Sequence, residues 1–264
     1  LIIDDKIIVV YQTNVWEGGK IPANVKGPME DYSLNQSLMM AIYNLDGEEI
    51  SRSAIVANAE KGSGENFPDH AIVWFEDKLF VTTGTGERKF KIREVNLGGE
   101  ILNTYEYEAN FQSDINTEIG NSLLVDGNGN LKIISGNGPS STDAIHISEL
   151  DSNFEIGNSI DLISSGREEI FPTGNFVYGD LTLIGYISRE IGGDPHDFTK
   201  NPYSPYLKII NEEGQVLFDE KVGENGMSHV HPTLTILGDT LYFAWSKNVA
   251  GKPQVQVESY LLGD

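Results

Sequence analysis

Residues 229–248 read HVHPTLTILGDTLYFAWSKN. A proline leads an apolar strand into a Gly-Asp turn, and a second strand ends on a tryptophan. Either the His-x-His pair is a metal site, or the stretch is one copy of a unit that recurs along the chain. Copies of its acidic turn answer for the fold. They read DDKIIVVYQ (4–12), EDKLFVTTG (76–84), GNGNLKIISG (127–136), YGDLTLIGY (178–186) and LGDTLYFAW (237–245). Anchored on Ile7, Leu79, Leu131, Leu181 and Leu241, they are spaced by 72, 52, 50 and 60 residues.

A second turn follows each anchor: NLDGEEI, NLGGEIL, LDSNFEI, NEEGQVL and finally YLLGD. Before most anchors stands another apolar strand, as in AIVWF, NSLLV, NFVY and TLTIL. Each unit is four short strands, rich in β-branched residues and punctuated by Gly, Asn and Asp. Helical periodicity is absent from every segment of useful length. Five four-stranded meanders predict an all-β chain, a five-bladed β-propeller. A β-sandwich does not account for five equivalent turn pairs. The blades should run approximately 1–60, 61–112, 113–164, 165–224 and 225–264 within one domain, 1–264. The last blade should lack its outer strand, because the chain stops at LLGD. We therefore expect the natural protein to extend past one end.

Composition narrows the function classes. The 264 residues carry 40 acidic and 18 basic side chains, a formal charge of −22. Binding nucleic acid or anionic membrane requires clustered Lys and Arg, so neither partner is expected. No run of about 18 apolar residues exists to insert into a membrane. With no cysteine, disulfides, thiol catalysis and Cys-ligated zinc are all excluded. The absence of cysteine, with a first residue that is Leu rather than Met, suits the mature form of a secreted, periplasmic or cell-surface protein.

Propeller geometry then sorts the remaining residues. The loop leading into each first strand shares a face with the loop joining strands two and three. The lead-in loops read NFPDHAIVWF, NTEIGNSLLV, IFPTGNFVY and HVHPTLTIL. Three of them carry Phe or His, then Pro, then Asp or Thr, so the proline belongs to the repeat. Its fixed φ and missing N–H suit the start of a strand. These loops should place Asp69, His70, Glu118, Thr173, Asn175, His229 and His231 at the channel mouth. Long insertions between strands two and three, residues 14–36 and 189–205, overhang the same face. They bring Trp16, Tyr32, Arg189, His196 and Tyr203. Insertions on a rigid scaffold are where binding residues accumulate.

Three chemistries follow. Asp69 and Glu118 begin first strands of adjacent blades, and paired carboxylates are what glycoside hydrolysis requires. Trp16, Tyr32 and Tyr203 would offer stacking surface to a sugar, with His70, Asn175, Arg189, His196 and His231 as polar contacts. His229 is the candidate metal ligand, since His231 fills the slot that holds Phe67 and Phe171 in sibling loops. An acidic channel also offers calcium or another divalent cation a place. The DGNGN at Asp126 reads as a turn, since it lacks a distal Glu at EF-hand spacing.

The stretches HPTLTILGDTLYFAWSKN and FPDHAIVWFEDKLFVTTG resemble blades of the sialidase-like and glycoside hydrolase family 43-like propellers. In those, a (His/Asp)-Pro-(Ser/Thr) lead-in, an acidic turn and a Tyr/Phe-x-x-Trp/Tyr strand recur. The resemblance implies acids at three lead-in positions. Asp69 and Glu118 fill two, while unit four offers Thr173, with Glu168 and Glu169 a few residues earlier. No S-x-D-x-G-x-T-W motif occurs, and the five arginines form no evident carboxylate clamp, which counts against sialidase chemistry. The expectation is an extracytoplasmic propeller that binds or hydrolyses a glycan or other small-molecule ligand. The alternative is a propeller that only binds a protein partner.

Overall fold

The computed structural model describes residues 1–16, 33–60, 66–85, 89–108, 121–136, 145–162, 166–190, 202–223, 232–249 and 252–262. Among them are nineteen strands and no helix. The chain divides into two compact units, Leu1–Ala109 and Asn110–Asp264.

Unit 1 holds two four-stranded antiparallel sheets. Blade 1 comprises β1 (Ile2–Ile3), β2 (Lys6–Trp16), β3 (Ser33–Asn44) and β4 (Glu49–Glu60). Blade 2 comprises β5 (Asn66–Phe75), β6 (Lys78–Thr85), β7 (Lys89–Val95) and β8 (Ile101–Glu108). Unit 2 begins with blade 3: β9 (Asn121–Val125), β10 (Leu131–Gly136), β11 (Ile145–Leu150) and β12 (Ile156–Leu162). Blade 4 follows as β13 (Arg167–Tyr178), β14 (Leu181–Glu190), β15 (Ser204–Ile210) and β16 (Val216–Lys221). Blade 5 has three strands, β17 (Thr233–Leu237), β18 (Thr240–Val249) and β19 (Lys252–Leu261), as the short C-terminal repeat implied.

Two kinds of turn build the meanders. Asp4–Asp5 and Glu76–Asp77 have positive φ throughout, 46° and 59°, then 47° and 60°. Ile3–Lys6 and Phe75–Lys78 pair directly around them, so these are two-residue hairpin turns that match strand twist. Gly179 and Gly238 open the corresponding turns of blades 4 and 5, at φ 57° and 60°. The other kind is a five-residue Asx loop. Asn44, Asn96, Asp126, Asp151 and Asn211 each accept, on Oδ1, the N–H four residues on, at 2.8–3.0 Å. The fourth residue of each loop turns left-handed: Gly47, Gly99, Gly129, Phe154 and Gly214. Four of these loops join strands three and four of a blade. The fifth, Asp126–Asn130, replaces the two-residue turn between β9 and β10, which accounts for the DGNGN sequence as a turn.

Within each unit the cores lie between consecutive blades. In unit 1, Ile8, Val10, Leu38, Met40, Ile42 and Ile55 meet Leu79, Val81 and Val95. In unit 2, Leu124, Ile134, Ile145, Ile147 and Leu162 of blade 3 meet Ile184, Tyr186 and Ile210 of blade 4. On the other side of β14, Leu183, Ile187, Tyr203 and Leu207 meet Leu234, Leu241, Phe243 and Trp245 of blade 5. Strand β14 therefore feeds alternate side chains into two cores and reads as a nearly unbroken apolar run. Each fully buried Leu, Ile or Phe stabilises by roughly 1.5–3 kcal/mol.

Candidate functional site

The lead-in prolines sit differently from the sequence expectation in two blades. In β5 the ladder passes from Asn66–Gly84 to His70–Thr83, four steps on one strand against one on its partner. In β13 it passes from Ile170–Ile187 to Gly174–Gly185, four steps against two. Phe67-Pro68-Asp69 and Phe171-Pro172-Thr173 are therefore bulges inside strands that began one and four residues earlier, at Asn66 and Arg167. A bulged residue has no ladder partner, so the missing proline N–H costs nothing there. In blade 5 the expectation holds, with Pro232 immediately before β17. Asp69 thus lies in the bulge of β5, on backbone that leaves the ladder.

His70 closes that bulge. Its Nε2 is 3.0 Å from the Val10 carbonyl oxygen on β2. A carbonyl only accepts, so Nε2 carries the proton. Strand β1 pairs with β2 no further than Ile7, so Val10 lies beyond it along β2. His70 is thereby committed to joining blades 1 and 2.

In blade 4 the bulge of β13 is braced by Asn175, whose Nδ2 donates to the Pro172 carbonyl at 3.1 Å. Its Oδ1 is buried without a hydrogen-bond partner among the described residues. Gly174 allows the start of β17 to cross the bulge. A Cβ there would lie 2.8 Å from the Thr233 Cα and 2.9 Å from the Pro232 carbonyl oxygen. Arg189 and Tyr203 bracket the segment 190–202 and lie together, the guanidinium over the ring at 4.5 Å from its centroid. They are 3% and 2% exposed, so the two clasp the base of that segment rather than face solvent.

One group escaped sequence reasoning. Across blade 4 runs a row of charged and polar side chains: Arg167 and Glu169 on β13, Tyr186 on β14, Lys208 on β15 and Asp219 on β16. Lys208 Nζ is 2.8 Å from Glu169 Oε2 and 3.6 Å from Asp219 Oδ2. Arg167 Nη2 is 2.7 Å from Asp219 Oδ2 and stacks 4.4 Å above the Tyr206 ring. The Tyr186 hydroxyl donates to Asp219, lies 3.2 Å from Glu169 Oε1 and accepts from Arg167 at 3.3 Å. Burial first, and then the two carboxylates, push the Tyr186 phenol far above its ordinary range, which keeps it a donor. The only available signal was a lysine inside the apolar run YLKII.

The remaining candidates are less placed. Trp16 ends β2, with its side chain outside the described residues, as is that of Asp69. Tyr32, Glu118, His196, His229 and His231 lie outside the described residues altogether. Among the described residues no group of three His, Asp or Glu side chains is arranged to hold a metal ion. No helix among them is long and apolar enough to cross a membrane.

No protein-family model matches the chain, and neither does any curated protein sequence. Solved structures do. A family 43 α-L-arabinofuranosidase from Clostridium thermocellum superposes with a TM-score of 0.56 at 9% identity, over 98% of this chain and 87% of that one. A family 43 β-1,3-galactosidase, solved with galactodeoxynojirimycin, gives 0.59 at 10% identity, over 98% and 88%. A family 43 arabinoxylan arabinofuranohydrolase from Bacillus subtilis, in complex with cellotetraose, gives 0.57 at 10% identity, over 93% of this chain and 57% of that one. The likeness establishes the fold, a five-bladed β-propeller of the kind found in family 43 glycoside hydrolases.

Proposed function

We propose that this chain is a carbohydrate-interacting propeller that works outside the cytoplasm, binding or hydrolysing a glycan on the side that carries its lead-in loops and insertions. One observation carries the reading. The chain matches, over 98% of its length, propellers whose solved forms act on arabinofuranosides and β-1,3-galactosides. The proline bulge in β5 adds local support, since it lifts Asp69 out of a ladder in which its backbone would otherwise be paired. In the hydrolytic form of the reading, the two carboxyl roles fall to Asp69 and Glu118, one as acid and one as base or nucleophile. Trp16, Tyr32, His196 and His231 would be the glycan contacts. His70, Asn175, Arg189 and Tyr203 also support the loops from within: His70 on the Val10 carbonyl, Asn175 Nδ2 on the Pro172 carbonyl, and Arg189 over the Tyr203 ring, while the Asn175 Oδ1 has no partner among the described residues.

The test is a panel of polysaccharides and oligosaccharides, scored for retention on the protein and for released reducing ends. Release that disappears in Asp69→Ala and in Glu118→Ala, with unchanged circular dichroism, assigns the hydrolase. Retention without release assigns a lectin-like module. Silence on both counts overturns the carbohydrate reading.

A further inference from the structure

We infer that the lead-in stretches of blades 4 and 5 form one subsite of the proposed glycan face, and that Asn175 is its positioning residue. The inference rests on the carbohydrate reading above and concerns unit 2 alone. Beyond its bulge, β13 rejoins β14 through two glycines, Gly174 and Gly185, directly opposite each other. The meander itself does not require them, since the bulge of β5 closes on His70 opposite Thr83. Blade 5 requires them. A Cβ on Gly185 would lie 3.1 Å from the Phe243 ring, and one on Gly174 would lie 2.8 Å from the Thr233 Cα and 3.1 Å from the Leu234 nitrogen.

The facing glycines are thus a notch that admits Phe243 and the start of β17. Gly174 directly follows Phe171-Pro172-Thr173, so the lead-in stretches of two neighbouring blades meet backbone against backbone. Asn175 latches the notch from the other face of β13. It stands opposite Ile184, which belongs to the core shared with blade 3. Its Nδ2 donates to the Pro172 carbonyl at 3.1 Å, tying the bulge to the residue just past the notch.

Each of these choices works against stability. Glycine inside a strand weakens it, and the buried Asn175 Oδ1 has no partner among the described residues. Local choices that oppose the fold gather where function constrains the chain. Here they hold two lead-in stretches at one fixed spacing. The residues those stretches offer to a sugar are Thr173 and, just before Pro232 in the chain, His231. A hydroxyl and an imidazole both donate and accept, as sugar hydroxyls do.

Affinity electrophoresis through gels cast with arabinoxylan or with β-1,3-galactan, well below the melting temperature, tests this. The wild type should be retarded in at least one gel. Asn175→Ala and Thr173→Val should each bind about tenfold more weakly, with unchanged circular dichroism. The double variant should bind no more weakly than the weaker single, because both changes disable one subsite. Asn158→Ala on β12, which removes an exposed contact to Glu149, should run as the wild type. A wild type retarded in neither gel overturns this subsite, and the wider glycan panel judges the carbohydrate reading separately. Retardation that both single variants keep in full overturns the inference and leaves that reading standing. So does an additive double variant, or a loss in Asn175→Ala that only follows its unfolded fraction.

Discussion

Lys208 Nζ lies 2.8 Å from Glu169 Oε2, and both side chains are completely buried. They belong to strands β15 and β13 of one blade and are separated by 39 residues of chain. With Arg167 and Asp219 they make a row of two cations and two carboxylates, so the interior of blade 4 is charged but balanced. An ion taken out of water is tolerated only while its partner stays.

That dependence sets the first prediction. Glu169→Gln leaves Lys208 with Asp219, at 3.6 Å, as its remaining carboxylate in the row, and Lys208→Met leaves Glu169 with Arg167, at 3.6 Å, in place of its close cation. Each single change should destabilise by about 3–5 kcal/mol in a urea titration. The double variant should lose clearly less than the sum, since neither charge is then stranded. Singles that lose less than about 1 kcal/mol would mean that water reaches the pair.

A second prediction concerns Gly174, where β13 passes the start of β17. The atoms that a Cβ would meet, Thr233 Cα and the Pro232 carbonyl oxygen, are backbone and cannot swing aside. Gly174→Ala should therefore cost about 1–3 kcal/mol. Gly157→Ala is the control, because its nearest neighbour would be the Glu149 carbonyl oxygen at 3.6 Å. That change should stay within about 0.5 kcal/mol. Equal effects at the two sites would refute the close crossing.

Acid sensitivity gives a third. Burial opposes ionisation of Asp126, but the Lys132 ammonium at 2.8 Å and the Asn130 N–H outweigh it, holding the carboxyl below its usual range. A group with a depressed folded pKa contributes stability above its unfolded value, near pH 4, and loses it as pH falls through the folded value. Asn44, Asn96 and Asn211 hold the same loop elsewhere, so Asp126→Asn should keep the turn and remove only the charge. The variant should melt below the wild type at about pH 7, and the gap should narrow as pH falls from about 4 through the depressed folded value. A gap that does not change with pH would show that the lysine contributes nothing through charge.

The anchors show how far a one-dimensional reading reaches. Leu79 and Leu241 stand one residue past the hairpin-closing pair and are 1% exposed. Leu181 itself closes its hairpin, opposite Tyr178, and is only half-buried. Aligning the three leucines therefore slips blade 4 by one residue. Strand count and order survive that slip, but every side chain changes face. For the same reason the FPD and FPT stretches were recognisable as repeats and not as bulges. A bulge is a relation between two strands, and proline marks its place only by having no donor to lose.

The sequence alone determined what depends on neighbours in the chain. Local demands on φ come from the Asp-Asp, Glu-Asp and Gly-Asp pairs of the hairpin turns, and from Asx residues three places before a left-handed residue, glycine in four loops and Phe154 in the fifth. Those demands, with β-branched runs between them, are enough to specify five meanders and a short fifth blade. Only the tertiary structure decided which face of each strand meets which neighbour. It joined Lys208 to Glu169 across 39 residues and Arg167 to Asp219 across 52. It also set Arg189 against Tyr203 and the His70 imidazole on the Val10 carbonyl. Such pairings arise when strands line up within a blade, blades stack and water leaves, so they depend on distances that a linear order of residues does not contain.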